Sequence, residues 1–378
     1  GVQLRFPRMS TLPKADGLHP DELAHLTALG FDAPTFSKLR AQLRSQTLPS
    51  NLIEGTLDFP DEEVFRTAPE AKSPAGQEAT ALGSSLLAEG RAALILLNGG
   101  MATRFGGRVK GVVDALPGNS FLALQAKRLA QLGEGAAPPL LLMNSEATDA
   151  ATKDHLEAAG YFGLDPDNIF TFRQSAAPRL HPDGSLFRDP SGALSLYGPG
   201  HGDLLPSLKA SGALAWLQER GIDYLLMANV DNLGASLDSL LLGRFAGGSK
   251  ELMVEVVERQ AGERGGSPCL VNGRVQIVED FAFPAGFEKA AIPCFNTNTL
   301  WFRTEALEAD HPLRWYAVEK QALGQSVVQF ERLVGQLSWF LDTEWALVSR
   351  ERFLPIKTPE DLRRQQGKLQ TLFDCLEL

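Results

Sequence analysis

The sequence has little cysteine and histidine and no long hydrophobic run, and each shortage disfavours a class of protein. Its three cysteines, Cys269, Cys294 and Cys375, are odd in number and lack the spacing of zinc ligands. They therefore indicate reduced thiols in a cytoplasmic protein. No apolar segment is long enough to cross a bilayer, and the N-terminal residues lack the apolar core of a signal peptide. Six scattered histidines without a G-x-S-x-G motif disfavour serine hydrolase chemistry.

Positive charge is also in short supply. The chain has 36 Lys and Arg against 46 Asp and Glu, giving a net charge of −10 and a pI near 5.2. This balance argues against nucleic acid or an anionic membrane as a partner, because both need a basic face. A small anionic substrate would have to be held by a few locally placed cations. With 378 residues and 44% hydrophobic content, the chain can form one large α/β domain with additions, or two domains.

A short apolar run followed by glycines lies at residues 92–111. The run ends at Asn98, and its length and abrupt end indicate a buried parallel strand. Gly99 and Gly100 leave backbone N–H groups accessible, and Arg104 and Lys110 follow with positive charge, as holding a polyphosphate requires. The spacing matches neither the dinucleotide-binding motif nor the P-loop. Taken alone, the stretch is equally consistent with a turn that binds nothing.

Strand and helix patterns alternate along the rest of the chain. They predict helices within 20–48 and at 75–89, 120–132, 148–159, around 214–217 and from 359 onward, and strands at 92–97, 138–143, 168–172 and 224–228. This alternation predicts a doubly wound, mostly parallel sheet. Because ligands bind at the carboxyl ends of parallel strands, Gly99, Asn144, Gln174 and Asp231 are expected to converge.

Other segments give weaker indications. The expected features are a connecting loop at 56–74, a hairpin excursion at 180–195, strands of a less buried sheet at 251–258 and 275–278, polar residues at a strand edge at 295–302, and no clear period at 327–348. Two single residues allow two interpretations each. Asp231 is suited to bind Mg²⁺ together with substrate phosphates, or to cap the turn that follows. His201, between two glycines, is suited to ligand contact, which we favour, or to a hydrogen bond within its loop.

Six sequence blocks in a fixed order carry a family resemblance. They are Leu97-Asn98-Gly99-Gly100, Leu142-Met143-Asn144-Ser145, Pro199-Gly200-His201-Gly202-Asp203, Asn229-Val230-Asp231-Asn232-Leu233-Gly234-Ala235, Phe295-Asn296-Thr297-Asn298 and Arg352-Phe353-Leu354-Pro355-Ile356-Lys357-Thr358. From Ala92 to the C-terminus, this series resembles the eukaryotic-type UTP–glucose-1-phosphate uridylyltransferases, or UDP-glucose pyrophosphorylases. Each block alone is modest, but six in order are specific.

The resemblance implies a fold and a reaction. The fold would be a Rossmann-like, GT-A-like α/β nucleotidyltransferase domain in residues 91–378, with a mixed, mostly parallel sheet and helices on both faces. A helical segment and linker would occupy residues 1–90. The reaction would be Mg²⁺-assisted in-line attack of glucose 1-phosphate on the α-phosphorus of UTP, giving UDP-glucose and pyrophosphate. The family's C-terminal β-helix, which makes oligomer contacts, is absent from this sequence, so a monomer or weak oligomer is expected.

The resemblance also implies site residues. Lys110 would hold the β,γ-phosphates of UTP and Lys357 the α-phosphate, Arg104 would belong to the same catalytic set, and Asp231 would bind the metal. The residues enclosing uracil would be Leu97, Gly99, Gly100, Met143, Gln174 and Gly200. The residues around the sugar and its phosphate would be His201, Asn229, Glu279, Phe295, Asn296 and Asn298.

Departures from the family pattern leave two alternatives. Val109 replaces a proline, the loop from Gly106 to Lys110 is one residue shorter, and Arg104 is closer to the UDP-N-acetylglucosamine and broad-specificity pyrophosphorylases. One alternative is therefore a UDP-sugar pyrophosphorylase that uses galactose 1-phosphate, N-acetylglucosamine 1-phosphate or several sugars. The other is a UDP-sugar-binding protein without turnover. Retention of Lys110, Asp231 and Lys357 together favours an enzyme, since a pure binder need not keep the charges that face the leaving pyrophosphate.

Overall fold

The computed structural model describes residues 17–132 and 137–374, and the chain divides into two compact units. The larger unit comprises Asn51–Gln174, Gly200–Arg314 and the chain from Arg332 onward. Within the described residues, the smaller unit comprises 17–50 together with Ser175–Pro199 and Trp315–Glu331. This grouping differs from the division expected at residue 90, because residues 51–90 belong to the larger unit and two later excursions belong to the smaller one. Cys375 lies outside the described residues.

The α-helices include all those predicted and two that were not, at 204–210 and 239–247. Within the described residues they are α1 (Pro20–Ala28), α2 (Ala33–Arg44), α3 (Pro74–Ala88), α4 (Phe121–Ala130), α5 (Asp149–Ala158), α6 (Leu204–Ala210), α7 (Ala213–Glu219), α8 (Ser239–Gly247) and α9 (Pro359–Phe373). Asp32, Ser120 and Thr358 cap α2, α4 and α9, and each accepts a backbone N–H three residues on, at 3.0 Å. None of these helices is long and apolar enough to cross a membrane.

The strands are more numerous than predicted. In the described residues they are β1 (Leu57–Asp58), β2 (Phe65–Thr67), β3 (Ala92–Asn98), β4 (Met101–Ala102), β5 (Arg108–Val109), β6 (Asp114–Leu116), β7 (Asn119–Ser120), β8 (Leu140–Asn144), β9 (Ile169–Arg173), β10 (Ala177–Pro178), β11 (Leu196–Tyr197), β12 (Tyr224–Asn229), β13 (Leu252–Glu258), β14 (Ser267–Val271), β15 (Arg274–Val278), β16 (Cys294–Arg303), β17 (Tyr316–Ala322), β18 (Gln325–Glu331) and β19 (Thr343–Leu347). Eight of them form one sheet in the larger unit, in the order β2-β19-β13-β16-β12-β3-β8-β9.

The central sheet is mixed and mostly parallel, as predicted. Strands β12, β3, β8 and β9 run parallel to one another, and so do β13, β19 and β2, while β16, between the two groups, is antiparallel to both β12 and β13. Alternate residues of β3 face opposite sides, where they enter two separate apolar clusters. Helices α3, α4, α5, α8 and α9 supply one cluster, and α6 and α7 supply the other. The sheet therefore has helices on both faces.

Two predictions about strands were wrong. Residues 252–258 form β13 inside the main sheet, not a strand of a less buried sheet, because apolar side chains are buried on both of its faces. The 295–302 segment, where polar residues at the edge of a strand were expected, lies within β16 with those polar residues near its start, and β16 lies between β13 and β12. The expected loop at 56–74 contains β1 and β2, and β2 joins the main sheet beside β19. The 275–278 segment does pair in a separate sheet, of order β1-β14-β15.

The smaller unit has its own apolar cluster. Phe36 from α2 packs there with Leu180, Tyr197 and Phe330. The Tyr197 hydroxyl donates to the Phe330 carbonyl at 3.1 Å and accepts the backbone N–H of the same residue. The predicted excursion at 180–195 is confirmed by bridges between Leu180 and Leu186 and between Arg188 and Leu194. Strands β17 and β18 form a hairpin in this unit.

Candidate active site

Four parallel strands of the larger unit end at the same edge of the sheet. Leu97 of β3 pairs with both Asn229 of β12 and Met143 of β8, and Asn144 pairs with Arg173 of β9. The loops that follow these strands therefore begin side by side. The predicted convergence of the strand ends is confirmed, and this edge is the candidate active site.

Gly99 and Gln174 lie next to each other at this edge. A β-carbon added to Gly99 would lie 2.9 Å from Nε2 of Gln174, so only glycine leaves that side chain in place. The backbone N–H of Gln174 donates to the Asn144 carbonyl at 2.8 Å. Leu97 is half-buried and Met143 is buried in the strands beneath. The site thus combines a side-chain amide that can donate and accept hydrogen bonds with nearby apolar side chains, as recognition of a nucleobase requires.

A bulge in β16 brings two asparagines to the same edge. Glu255 pairs with Thr299 but Val256 pairs with Asn296, which leaves Thr297 and Asn298 outside the regular register. Asn298 adopts a left-handed backbone with φ of 56°. Its Nδ2 donates to Oδ1 of Asn229 at 3.1 Å, and its backbone N–H donates to Oδ1 of Asn296 at 3.1 Å. Sequence reasoning missed this bulge, although asparagine is among the residues that tolerate such a backbone.

Glu279 lies near Asn296. A β-carbon added to Gly266 would be 3.3 Å from both Oε1 of Glu279 and Nδ2 of Asn296. Burial raises the pKa of Glu279 to about 7, and the neighbouring charge of Asp280 adds to this effect. The Phe295 ring packs against Phe353 with centroids 5.9 Å apart. Glu279 is therefore able to donate a hydrogen bond near neutral pH, when it is partly protonated.

The raised pKa of Glu279 predicts a pH-dependent gain in stability when this carboxyl is removed. The pKa of Glu279 is about 7 in the folded chain and 4.5 ordinarily. Its contribution to the free energy of unfolding is therefore fully present below pH 4.5 and is lost as pH rises through 7. Glu279→Gln is expected to raise the free energy of unfolding by about 1–2 kcal/mol at about pH 8 and to leave it unchanged at about pH 4. Urea unfolding at both pH values measures this. Glu305→Gln, at an exposed position, serves as control. A Glu279→Gln chain that is less stable than wild type at both pH values would contradict the expectation.

His201 makes the loop hydrogen bond that was one of its two interpretations. Its Nδ1 accepts the backbone N–H of Val334 at 2.9 Å. Burial lowers the pKa of His201 to about 4. The ring is therefore neutral at physiological pH and carries its proton on Nε2. Nε2 has no hydrogen-bond partner among the residues that the structure describes, so it remains available as a donor. Beside it, Gly200 has φ of 82°, and an added β-carbon would lie 2.3 Å from the Arg332 carbonyl oxygen.

Lys110 and Asp231 form the charged part of the site. Lys110 is only 7% exposed, and its Nζ lies 4.2 Å from the centroid of the Phe105 ring and donates to the Ile356 carbonyl. Burial lowers the pKa of Lys110, while the charge of Asp231 opposes that shift. Burial also raises the pKa of Asp231, and the positive charges of Lys110 and Lys357 oppose that shift. The carboxylate therefore lies within the fields of two ammonium groups.

The segment that carries Lys357 is fastened to the strand end that carries Asp231. Asn232 is 1% exposed; its Oδ1 accepts the Leu354 N–H at 2.8 Å and its Nδ2 donates to the Arg352 carbonyl at 3.2 Å. The Asp231 carbonyl accepts the N–H of Ile356 at 3.1 Å. Sequence reasoning missed the role of Asn232, for which the only signal was its place beside Asp231. These bonds hold the two segments together.

Arg352 is anchored in turn by a buried ion pair. Its guanidinium donates to both carboxylate oxygens of Glu255, at 2.8 and 2.7 Å. Glu255 also accepts from the indole nitrogen of Trp301 at 2.8 Å and is 1% exposed. No pattern in the sequence indicated this pair, since Glu255 stands alone in an apolar strand.

Lys357 and Arg104 differ from Lys110 in being exposed. The backbone N–H of Lys357 donates to Oδ2 of Asp361 at 3.1 Å, which leaves its side chain free to move while its backbone is held. The charge of Arg104 is among the causes that lower the pKa of Lys110, so the two side chains are within electrostatic reach. The site thus combines one buried and two exposed cations.

The donor set at Asp231 suits magnesium. No group of three or more His, Cys, Asp or Glu side chains that could hold a metal occurs within residues 17–132 and 137–374. The chain supplies one carboxylate, and Mg²⁺ is commonly held by one or two carboxylates with water and substrate phosphates completing its shell. The residues present therefore fit a Mg²⁺ ion whose other ligands are water and phosphate oxygens.

The sheet and its loop-bearing edge define a nucleotidyltransferase-like α/β fold, and solved structures agree. The UDP-glucose phosphorylase from Trypanosoma brucei superposes with a TM-score of 0.73 at 25% identity, covering 90% of this chain and 76% of that one. The UDP-N-acetylglucosamine pyrophosphorylase from the same organism gives 0.75 at 19% identity, covering 95% and 82%, a likeness of fold alone. Residues 35–373 match the family described as UTP–glucose-1-phosphate uridylyltransferase, and the chain belongs to that family.

Curated relatives carry the same description. The UTP–glucose-1-phosphate uridylyltransferase of Solanum tuberosum is 35% identical over 302 residues, covering 74% of this chain and 62% of the relative. That of Encephalitozoon cuniculi is 32% identical over 288 residues, covering 71% and 57%. The chain thus spans about 60% of the length of the curated relatives it matches.

Proposed function

We propose that this chain is a UTP–sugar-1-phosphate uridylyltransferase that condenses UTP and glucose 1-phosphate to UDP-glucose and pyrophosphate. The observation that carries the proposal is the half-buried Asp231 carboxylate, within the fields of Lys110 and Lys357, at the edge where four parallel strands end. Family membership and the names of the curated relatives support the same reaction.

The reaction needs charge placement rather than a general base. A phosphate oxygen of glucose 1-phosphate is already an anionic nucleophile; it forms a bond to the α-phosphorus of UTP while the bond from that phosphorus to the bridging oxygen breaks. Pyrophosphate leaves with the electron pair, and no proton transfer is required. Lys110 would hold the β,γ-phosphates and Lys357 the α-phosphate, so both neutralise charge that moves toward the leaving group. Mg²⁺, when bound by Asp231 and phosphate oxygens, supplies further neutralisation.

The two substrates would occupy neighbouring parts of the sheet edge. Uracil would lie over Leu97 and Met143, with the Gln174 amide pairing with its N3–H and adjacent carbonyl. The sugar and its phosphate would lie near the bulge of β16. There the neutral His201 can donate from Nε2, and the linked amides of Asn229 and Asn298 offer further donors and acceptors. A site of this kind selects sugars by hydroxyl position, because an unmatched polar group is left unpaired.

We also propose that the reaction takes place in the cytoplasm and that the chain acts as a monomer or weak oligomer. Cys269 and Cys294 are free and buried, which supports a reducing compartment. The acidic balance of the chain supports small-molecule substrates rather than nucleic acid or membrane as partners.

Pyrophosphate release from the purified chain tests the proposal, with UTP, Mg²⁺ and a panel of sugar 1-phosphates. Selective turnover of glucose 1-phosphate, lost in Lys110→Met but kept in Lys250→Met, is the expected result, because Lys250 precedes β13 at the opposite edge of the sheet. Comparable turnover of galactose or N-acetylglucosamine 1-phosphate would instead identify a broad-specificity enzyme. No turnover with any sugar, together with a rise in melting temperature on adding UDP-glucose, would identify a binding protein.

A further inference from the structure

Asn98, the last residue of β3, has a fully buried side-chain amide whose nitrogen is hydrogen-bonded within the described part of the chain and whose oxygen is not. Its Nδ2 donates to Oδ1 of Asn144 at 2.8 Å and to Oγ1 of Thr152 at 2.9 Å. Both N–H groups of the amide are thereby used. Its Oδ1 is buried and has no hydrogen-bond partner among the described residues. A buried acceptor without a partner is costly, so its retention calls for an explanation.

The partners of Nδ2 are themselves fixed. Asn144 donates from Nδ2 to Asp149 at 2.9 Å, and the Thr152 hydroxyl donates to the Thr148 carbonyl at 2.7 Å. Thr152 and Asn144 are 0% exposed, as is Asn98. The network therefore sets the plane of the Asn98 amide, and the direction of its oxygen follows.

The oxygen of Asn98 is directed at Gly111. A β-carbon added to Gly111 would lie 2.3 Å from Oδ1 and 3.2 Å from Cγ of Asn98, well inside contact distance. Gly111 directly follows Lys110, whose backbone N–H donates to the Gly100 carbonyl at 3.2 Å. The turn that carries Lys110 is thus held on one side by a backbone bond and bounded on the other by the Asn98 amide.

We infer that Asn98 is a positioning residue for Lys110. Its fixed oxygen sets the path of the backbone at Gly111, and that path directs Nζ of Lys110 toward the Ile356 carbonyl and the field of Asp231. Gly111 has no side chain because the oxygen occupies that space. The inference rests on the proposed function in one respect only, which is that Lys110 contacts the β,γ-phosphates of UTP.

The labelling rate of Lys110 tests the inference without substrate or turnover. Reductive methylation followed by mass spectrometry compares buried Lys110 with exposed Lys357 in the same chain. Gly111→Ala is expected to raise the rate at Lys110 by about tenfold, because its methyl group must displace the turn, and Asn98→Ala by about threefold. The double variant should label no faster than Asn98→Ala alone, because the Asn98 side chain no longer blocks the added methyl group at residue 111. Leu307→Ala, a core change beyond the opposite end of β16, should leave the rate unchanged.

Steady-state kinetics then separates positioning from a general loss of structure. In Gly111→Ala the KM for UTP is expected to rise about tenfold, while the KM for glucose 1-phosphate stays the same. Wild-type labelling in Asn98→Ala, or a double variant whose effect is the product of the two single effects, overturns the inference. Asn98→Ala alone decides it if Gly111→Ala does not fold. A wild-type chain without activity refutes the proposed function, and the labelling result still decides the role of Asn98.

Discussion

Asp231→Asn is expected to lower kcat/KM for UDP-glucose synthesis by about 10²–10³-fold, the usual effect of removing one preorganised charge from an active site. Asparagine keeps the shape of the side chain but removes the carboxylate that faces Lys110 and Lys357. Without that charge, burial lowers the pKa of Lys110 further, and the proposed metal ligand is also lost. Pyrophosphate release at saturating Mg²⁺ measures the effect.

A second aspartate after the same strand provides the matched control. Asp238 caps α8 by accepting the Leu241 N–H at 2.8 Å, a role that asparagine fills equally well. Asp238→Asn is therefore expected to keep wild-type activity. If Asp231→Asn retained more than about a tenth of wild-type kcat/KM, the loss would be smaller than expected for a preorganised charge in an active site. The central role given to this carboxylate would then be wrong.

Arg352→Met is expected to lower the free energy of unfolding by about 3–5 kcal/mol, because it leaves the buried carboxylate of Glu255 without its ionic partner. Glu255 is 1% exposed and Arg352 16% exposed, so water cannot replace the lost interaction. Trp301 would remain as a donor to Glu255, but one neutral donor does not replace a bidentate guanidinium. Urea denaturation followed by tryptophan fluorescence gives the difference.

Arg350 offers a control only two residues away. It pairs with Glu263, but its side chain is 32% exposed, and exposed ion pairs contribute only about 0–1 kcal/mol. Arg350→Met should therefore cost far less than Arg352→Met. Changing both Glu255 and Arg352 to methionine should recover most of the lost stability, since no charge is then left buried. Equal losses for the two single arginine variants would show that burial does not set the value of these pairs.

The edge of the sheet that forms the site was predictable from local patterns. Apolar runs that stop at Asn98, Asn144 and Asn229 mark strand ends, and parallel strands place their carboxyl ends together. Helix caps such as Ser120 and Thr358 depend only on neighbours in sequence, so they too were predictable. These features need no knowledge of distant partners.

The remaining features depend on pairing between distant segments. The two-residue bulge at Thr297 and Asn298 exists only relative to the register of β13, which local sequence does not encode. Glu255 suggested a half-exposed strand because its partner, Arg352, lies far along the chain. Gly111 and Asn98 looked like parts of an ordinary glycine-rich turn until the space between them was known.

The order of strands in the main sheet has a consequence for how the chain is made. Among the described residues, strand β2 pairs in that sheet only with β19, and β19 also pairs with the outer side of β13. During synthesis on the ribosome, β2 therefore emerges well before β19 and gains a neighbour in this sheet only after Leu347 has been translated. Until then β13 presents an open edge, the kind of surface that pairs with other chains. Because Lys357 follows β19, the nascent chain completes its sheet and its charged site at almost the same moment.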